Sequence, residues 1–350
     1  MQTYISESDD LFSALGENPV FIFPSRIFGG HELMAVEIIK KIMLQASVTI
    51  FVDPTNYKLQ EYITSIPNLT LHLIPFTQPH FEFIHALLNP VLKLKSKKFI
   101  YKLKQKKYSK IFIVQGDIEL GCLILEAAIE NGANYISYIP YTHSAKKMGK
   151  RLHRIRDLYY KNLYSRTKKF ATISEVFRME IKKLSINSEI LLFRNSVRDL
   201  EHFKNKKNLT KNSLYKIYII GRVSFRQKGH DILMHALSML PKYILEKIEL
   251  NIIGDGEDLQ LLDRLILTQT NKISMINHGW HSEPWEIAFD ADLLVIPSRF
   301  EGVPLVMLEA LELKIDILAT RKDGMIEYLP ETHLFNNSEE LAAKLYSRLK

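Results

Sequence analysis

Short apolar runs recur along this chain at intervals that leave room for helices, and this alternation restricts the fold more than any other feature. In the first half the runs lie at 20–23, 48–52, 69–75, 111–115, 135–139, 170–173 and 190–193; in the second they lie at 216–220, 250–253, 273–276, 293–296 and 315–319. Strands separated by helical stretches imply parallel βαβ units, so the predicted fold class is α/β with doubly wound sheets. A chain of 350 residues exceeds the roughly 250–300 residues at which single cores stop growing. The polar segment 198–212, rich in Lys and Asn, is the natural linker. Two Rossmann-like domains are therefore expected, 1–197 and 213–350, facing across a cleft. Ligands of such sheets sit at the carboxyl ends of the strands.

Two glutamates flank seven residues where the predicted strand 293–296 passes into a helix, in Pro297-Ser298-Arg299-Phe300-Glu301-Gly302-Val303-Pro304-Leu305 and onward to Glu309. Pro304 suits the first helical turn, and Leu305, Leu308 and Leu311 repeat at helical spacing behind it. Glu301 is then expected on the loop and Glu309 on the helix. The backbone between them, from Gly302 through Val303 and Pro304 to Leu305, offers free N–H groups and the positive end of a helix dipole to a phosphate. Carboxylates on either side of that phosphate suit sugar hydroxyls. A capped surface helix with two solvated acids accounts for the same residues.

The loop after 216–220 reads Gly221-Arg222-Val223-Ser224-Phe225-Arg226-Gln227-Lys228-Gly229-His230. Its glycines permit tight turns, and Arg222 and Lys228 could place two cations over one diphosphate, stabilising charge on a leaving group. Two solvated surface cations are the plainer alternative. Gly254-Asp255-Gly256 could border the same ligand, or be an ordinary βα turn. In the first half, Gly29-Gly30 could bring backbone N–H groups toward phosphates or an acceptor, and His143 stands after the predicted strand 135–139. A plain turn and a structural histidine remain open for these.

Charge is uneven. Residues 1–212 carry 32 Lys and Arg against 19 Asp and Glu, while 213–350 carry 15 against 20, giving halves of +13 and −5. The densest part holds Lys93, Lys95, Lys97, Lys98, Lys102, Lys104, Lys106, Lys107 and Lys110 interleaved with Leu92, Leu94, Phe99, Ile100, Tyr101, Leu103 and Tyr108. Such a segment suits reversible docking on an anionic membrane, each lysine contributing on the order of 1 kcal/mol; a solvated helix face has the same pattern. No apolar stretch approaches the length of about 20 residues that spans a bilayer. The early Glu7, Asp9 and Asp10 argue against a signal peptide, so a cytoplasmic location is expected. The single Cys122 reads as a buried apolar residue, and no Cys/His spacing suggests a metal.

Together these pieces resemble the retaining glycosyltransferases of the GT-B fold, glycosyltransferase family four (group 1). The likeness covers 216–327 most fully, through Glu301 and Glu309, the Gly221-Arg222 and Lys228-Gly229 pairs, the Gly254 turn and Pro297-Ser298. It extends more loosely to Gly29-Gly30, His143, Ile173-Ser174 and Arg194-Asn195. The resemblance implies that Arg222 and Lys228 hold the donor diphosphate, Glu309 the nucleotide ribose and Glu301 the transferred sugar, with His143 beside that sugar. It implies no metal and no cofactor, the nucleotide sugar being a substrate. Lys314 and Asp316 depart from the family's usual Gly and Pro, and Asp323-Gly324-Met325-Ile326-Glu327 from its usual Gly-Gly-x-Pro-Glu; the fold is expected to tolerate both.

The expected function is retaining transfer of a sugar from a nucleotide-diphosphate donor to a growing lipid-linked, cell-surface glycan of lipopolysaccharide, O-antigen or capsule type. The enzyme would be peripheral on the inner face of the plasma membrane, with the lysine segment 93–110 at the anionic surface. A GT-B nucleotide-sugar epimerase or a phosphorylase would share the fold, and an inactive scaffold would share the motifs. A nucleic-acid partner is not expected, because no recognition motif accompanies the lysines.

Overall fold

The computed structural model describes residues 8–204, 214–269 and 273–350, and the chain divides into two units, 1–196 and 197–350. The segment expected to be a linker joins the second unit as far as it is described, with a short helix Glu201–Lys204; residues 205–213 lie outside the described residues.

The first unit holds β1 (Val20–Phe23), β2 (Thr49–Val52), β3 (Thr70–Leu73), β4 (Ile111–Val114), β5 (Tyr135–Tyr138), β6 (Lys169–Thr172) and β7 (Glu189–Leu192). They form one parallel sheet in the order β3-β2-β1-β4-β5-β6-β7. Strands β1, β4 and β5 are buried along their whole length, as strands covered by helices on both faces must be, and the one serine among them, Ser137 of β5, donates to Gln115 at 2.7 Å, whereas the edge strand β3 is largely exposed. Phe21 and Phe112 pack across the β1–β4 pair with ring centroids 4.9 Å apart. The single Cys122 is buried and unpaired at the start of a helix, as expected of a small apolar residue.

The second unit repeats the plan with β8 (Tyr215–Ile220), β9 (Ile248–Ile253), β10 (Ser274–Asn277), β11 (Leu293–Ile296), β12 (Asp316–Thr320) and β13 (Leu334–Phe335), in the order β10-β9-β8-β11-β12-β13. Ile217, Ile219, Leu250, Ile252, Leu293 and Val295 meet Leu233, Leu237, Leu341 and Leu345 from flanking helices in one core. Leu341 and Leu345 come from the helix Ser338–Leu349, whose N-terminus is capped by Asn337 accepting from Glu340 N at 2.9 Å. Every strand expected from the sequence is present. β13 was not expected: it has two residues, pairing Leu334 with Ala319 and Phe335 with Thr320, and is too short for any periodicity.

Candidate functional site

In the second sheet β8 lies beside β11, although β9 and β10 separate them in sequence, so the strand order reverses there. Ligands of open parallel sheets settle outside the carboxyl ends at such a reversal. Both loops singled out above leave from these two strands. They touch: a Cβ on Gly229, which sits at φ 67, would come within 2.1 Å of the Pro297 carbonyl oxygen. Arg299 ties the loops further, its N–H donating to the Gln227 carbonyl at 2.7 Å and its guanidinium to both Asp231 oxygens at 2.8 and 2.6 Å. The Gly254 turn closes the third side, since a Cβ there would meet the Gly221 carbonyl oxygen at 1.9 Å.

Lys228 and Glu301 are brought together. Lys228 Nζ lies 2.5 Å from Glu301 Oε1, which also accepts from Ser298 Oγ at 2.9 Å. The Glu301 N–H donates to Asp323 Oδ2 at 2.8 Å, so the altered loop at Asp323 takes part in holding the first glutamate. Arg222 is exposed on the same loop as half-buried Lys228. Glu309 lies on the helix Leu305–Glu312, as expected, but its oxygens are engaged: Trp285 Nε1 donates to Oε2 at 2.7 Å and Arg198 Nε to Oε1 at 2.9 Å. Arg198 reaches Glu283 as well. Neither Arg198 nor Trp285 carries a local sequence signal for this role, because both meet Glu309 only through the fold.

Pro304 is not in the first helical turn but is the residue before it, with an extended ψ of 126. Its carbonyl accepts from Met307 and Leu308, which leaves the N–H groups of Leu305 and Val306 as those without intrahelical acceptors. Gly302 is packed beside Gly324, whose N–H donates to its carbonyl at 3.1 Å, and Val303 is buried. His230, beside Lys228, is 2% exposed and neither ring nitrogen has a hydrogen-bond partner. Burial and the neighbouring Lys228 push its pKa down to about 4.

In the first unit Gly29 caps the helix Gly30–Ile42. Its N–H, expected to be open to a ligand, donates instead to Glu32 Oε2 at 2.9 Å, because the fully buried glutamate returns to its own helix start. His143 is buried, stacked on Tyr141 and edge-on to Phe177, with Lys147 Nζ 3.1 Å from its Nδ1. A cavity of about 530 Å³ opens at the carboxyl ends of β1 to β5, around the reversal between β1 and β4. On its wall Lys150 Nζ donates to Asp117 Oδ2 at 2.6 Å and Glu119 Oε2 at 3.2 Å, and Arg156 Nη1 reaches Glu119 at 3.0 Å. Burial alone would raise the Asp117 carboxyl, but Lys150 holds it below the ordinary value. The sequence reading missed this cavity, whose residues come from separate loops without a shared motif.

The lysine segment forms the helix Pro90–Gln105, capped by Asn89, burying Ser96, Phe99, Ile100 and Leu103. Val91, Leu94 and Tyr101 stay exposed among its lysines, with Leu87 and Leu88 just before it. Among the described residues no helix is long and apolar enough to cross a membrane, and no group of His, Cys, Asp and Glu forms a metal site.

Residues 198–349 match the sequence model of the family described as Glycosyl transferases group 1. Glycogen synthase 2 of Nitrosococcus oceani is 30% identical over 132 residues, which is 35% of this chain and 25% of that protein. The chain thus spans a quarter of that relative's length. Anabaena HepE, solved with UDP and glucose, superposes with a TM-score of 0.68 at 17% identity, covering 95% of this chain and 89% of that one. The lipopolysaccharide outer core galactosyltransferase WaaB superposes equally well, with a TM-score of 0.68 at 16% identity, over 95% and 91% of the two chains. At these identities the likeness establishes the GT-B fold.

Proposed function

From the premise that residues 198–349 are a group 1 glycosyl transferase domain, we propose that this protein is a retaining glycosyltransferase. It moves a sugar from a nucleotide-diphosphate donor to a lipid-linked cell-surface glycan. The observation that carries this reading is the pairing of Lys228 with Glu301 beside a helix N-terminus at the strand-order reversal of the second sheet. A phosphate suits that N-terminus and the Lys228 ammonium, while Glu301 suits a sugar hydroxyl.

Donor diphosphate is held by Arg222, Lys228 and the N–H groups following Gly302, with Gly221 and Gly254 letting the loops close on it. Glu309 turns from Arg198 to the ribose, and Glu301 holds the transferred sugar. The acceptor hydroxyl attacks the anomeric carbon on the face from which the diphosphate departs; the sugar–phosphate bond breaks and the phosphate takes the hydroxyl proton. Arg222 and Lys228 stabilise the charge left on the diphosphate, the term that most lowers the barrier in such a step. The role that the resemblance gives His143 remains part of the proposal, as do the close approach of Gly29 and Gly30 to the donor and a reaction without metal. UDP bound by HepE supports the donor class, and WaaB, a lipopolysaccharide outer core galactosyltransferase, supports a lipopolysaccharide-type acceptor.

Peripheral attachment to the cytoplasmic membrane face is assigned to the helix Pro90–Gln105, whose exposed apolar side chains stand among lysines. Flotation with liposomes should recover the protein only when anionic lipid is included. The activity is tested by incubating the chain with a panel of nucleotide sugars and a lipid-linked oligosaccharide, then reading the anomeric configuration of the product by NMR. An α-linked product from an α-linked donor supports the reading. Epimerised donor without acceptor, or release of sugar phosphate, would establish the epimerase or the phosphorylase instead.

A further inference from the structure

Resting on the glycosyltransferase reading, we infer that the cavity of the first unit takes an anionic sugar residue of the acceptor, carboxylated or phosphorylated. Gln78 lines that cavity at 1% exposure, and neither its amide oxygen nor its amide nitrogen has a hydrogen-bond partner, although its backbone N–H is bonded to Asp53 Oδ2 at 2.7 Å. A buried primary amide carries a donor and an acceptor on neighbouring atoms, the pattern that a sugar hydroxyl satisfies in both directions. Phe81 and Tyr141 also line the cavity and add apolar surface to it, one face of Phe81 being taken by Arg156 and one of Tyr141 by His143.

The charge requirement comes from Arg26. Its guanidinium reaches Thr55 Oγ1 at 3.3 Å and His80 Nε2 at 2.9 Å, an uncharged hydroxyl and a ring nitrogen that must accept because arginine has only donors. The acids of the cavity are otherwise engaged: Asp117 and Glu119 share Lys150, Glu119 also receives Arg156, and Glu82 accepts the backbone N–H groups of Gly121 and Leu123 at 2.8 and 2.9 Å. Burial pushes Glu82 up to about 8, so it adds little negative charge at neutral pH. Arg26 is left as a planar cation on the lining of a cavity whose own acids are engaged elsewhere, with Asp53 reached only through the Thr55 hydroxyl, and a guanidinium fork is shaped for a carboxylate or a phosphate.

The test titrates the full chain, with UDP present to occupy the second unit, against glucose, glucuronate and glucose 6-phosphate by ligand-observed NMR. At least one anionic sugar should bind about tenfold more tightly than glucose, the size of one added charge contact. The order of glucuronate and glucose 6-phosphate separates the two sources of charge. Arg26→Gln should remove the advantage and Arg26→Lys retain part of it. Equal binding of all three sugars by the unaltered protein overturns the inference, and so does an advantage that survives Arg26→Gln. Thermal stabilisation by nucleotide sugars is measured in parallel. Stabilisation without any anionic preference defeats the inference alone, whereas no stabilisation by any nucleotide sugar defeats the glycosyltransferase reading and leaves the sugar titration to decide the cavity.

Discussion

Lys228 Nζ sits 2.5 Å from Glu301 Oε1, so the cation assigned to the donor phosphate and the carboxylate assigned to the transferred sugar neutralise each other in the free protein. Glu301 is 7% exposed, and a carboxylate so placed requires either an ammonium or a set of hydrogen bonds. Ser298 and Asp323 hold it from both sides, one donating to the carboxylate and the other accepting the Glu301 N–H. A donor that draws Lys228 toward phosphate would take the ammonium from Glu301, and a sugar hydroxyl can stand in its place. On the proposed function, binding of phosphate and binding of sugar would be linked through this ion pair.

The two cations of the loop should accordingly separate in their effects. Arg222→Ala and Lys228→Ala should each lower turnover about tenfold or more, on the scale of losing one contact to developing charge. Only Lys228→Ala should also lower stability, by about 1–3 kcal/mol, because it removes the ammonium that faces the buried Glu301 carboxylate; exposed Arg222→Ala should stay within about 0.5 kcal/mol. Steady-state kinetics and urea melts of the same two variants check both halves. Unchanged turnover in both would sink the clamp assignment.

The strands were legible in the sequence because parallel strands covered on both faces are short apolar runs, and β1, β4, β5 and β11 are buried along their whole length. The loop 221–229 and the segment around Glu301 were legible because each leaves a strand and enters a helix within a few residues, so glycine, cation and carboxylate lie together in sequence. What escaped depends on pairings made in three dimensions. Glu309 is 111 residues from Arg198, Gly121 is 39 from Glu82, and Lys150 is 33 from Asp117. Gly29 was legible as a turn, and Glu32 three residues on has the capping-box spacing that returns a carboxylate to the N-cap N–H, so this bond had a local signal that a search for phosphate-binding glycines passes over.

His230 should make the protein acid-sensitive. Its folded pKa of about 4 lies below the 6.5 of the free side chain, so the unfolded chain binds the extra proton in that window. Stability from this group is complete above about pH 6.5 and is lost as pH falls toward 4, by up to about 3 kcal/mol. His230→Leu removes two unpartnered nitrogens and the titration together. Urea melts at pH 7 and pH 4.5 should show a smaller loss in the variant than in the unaltered protein, and an equal loss in both would refute the assignment.

Lys314 marks a place where this chain departs from the residue usual in the family it resembles. The helix Leu305–Glu312 ends with Ile315 N–H donating to the Ala310 carbonyl at 2.9 Å and Lys314 N–H to the Leu311 carbonyl at 3.1 Å, the paired bonds of a Schellman motif. That motif needs a left-handed residue at its centre, and Lys314 occupies it at φ 55. A side chain there crowds the following carbonyl at a cost of about 1 kcal/mol, which glycine avoids. Since the bonds are already made, Lys314→Gly relieves the crowding without altering the path of the chain into β12. The variant should gain up to about 0.5 kcal/mol in urea melts, less than the full relief because glycine also widens the unfolded ensemble. Lys314→Val, with a β-branched side chain in the same conformation, should lose stability. A variant order with valine above glycine would show that the left-handed turn is not what limits this helix end.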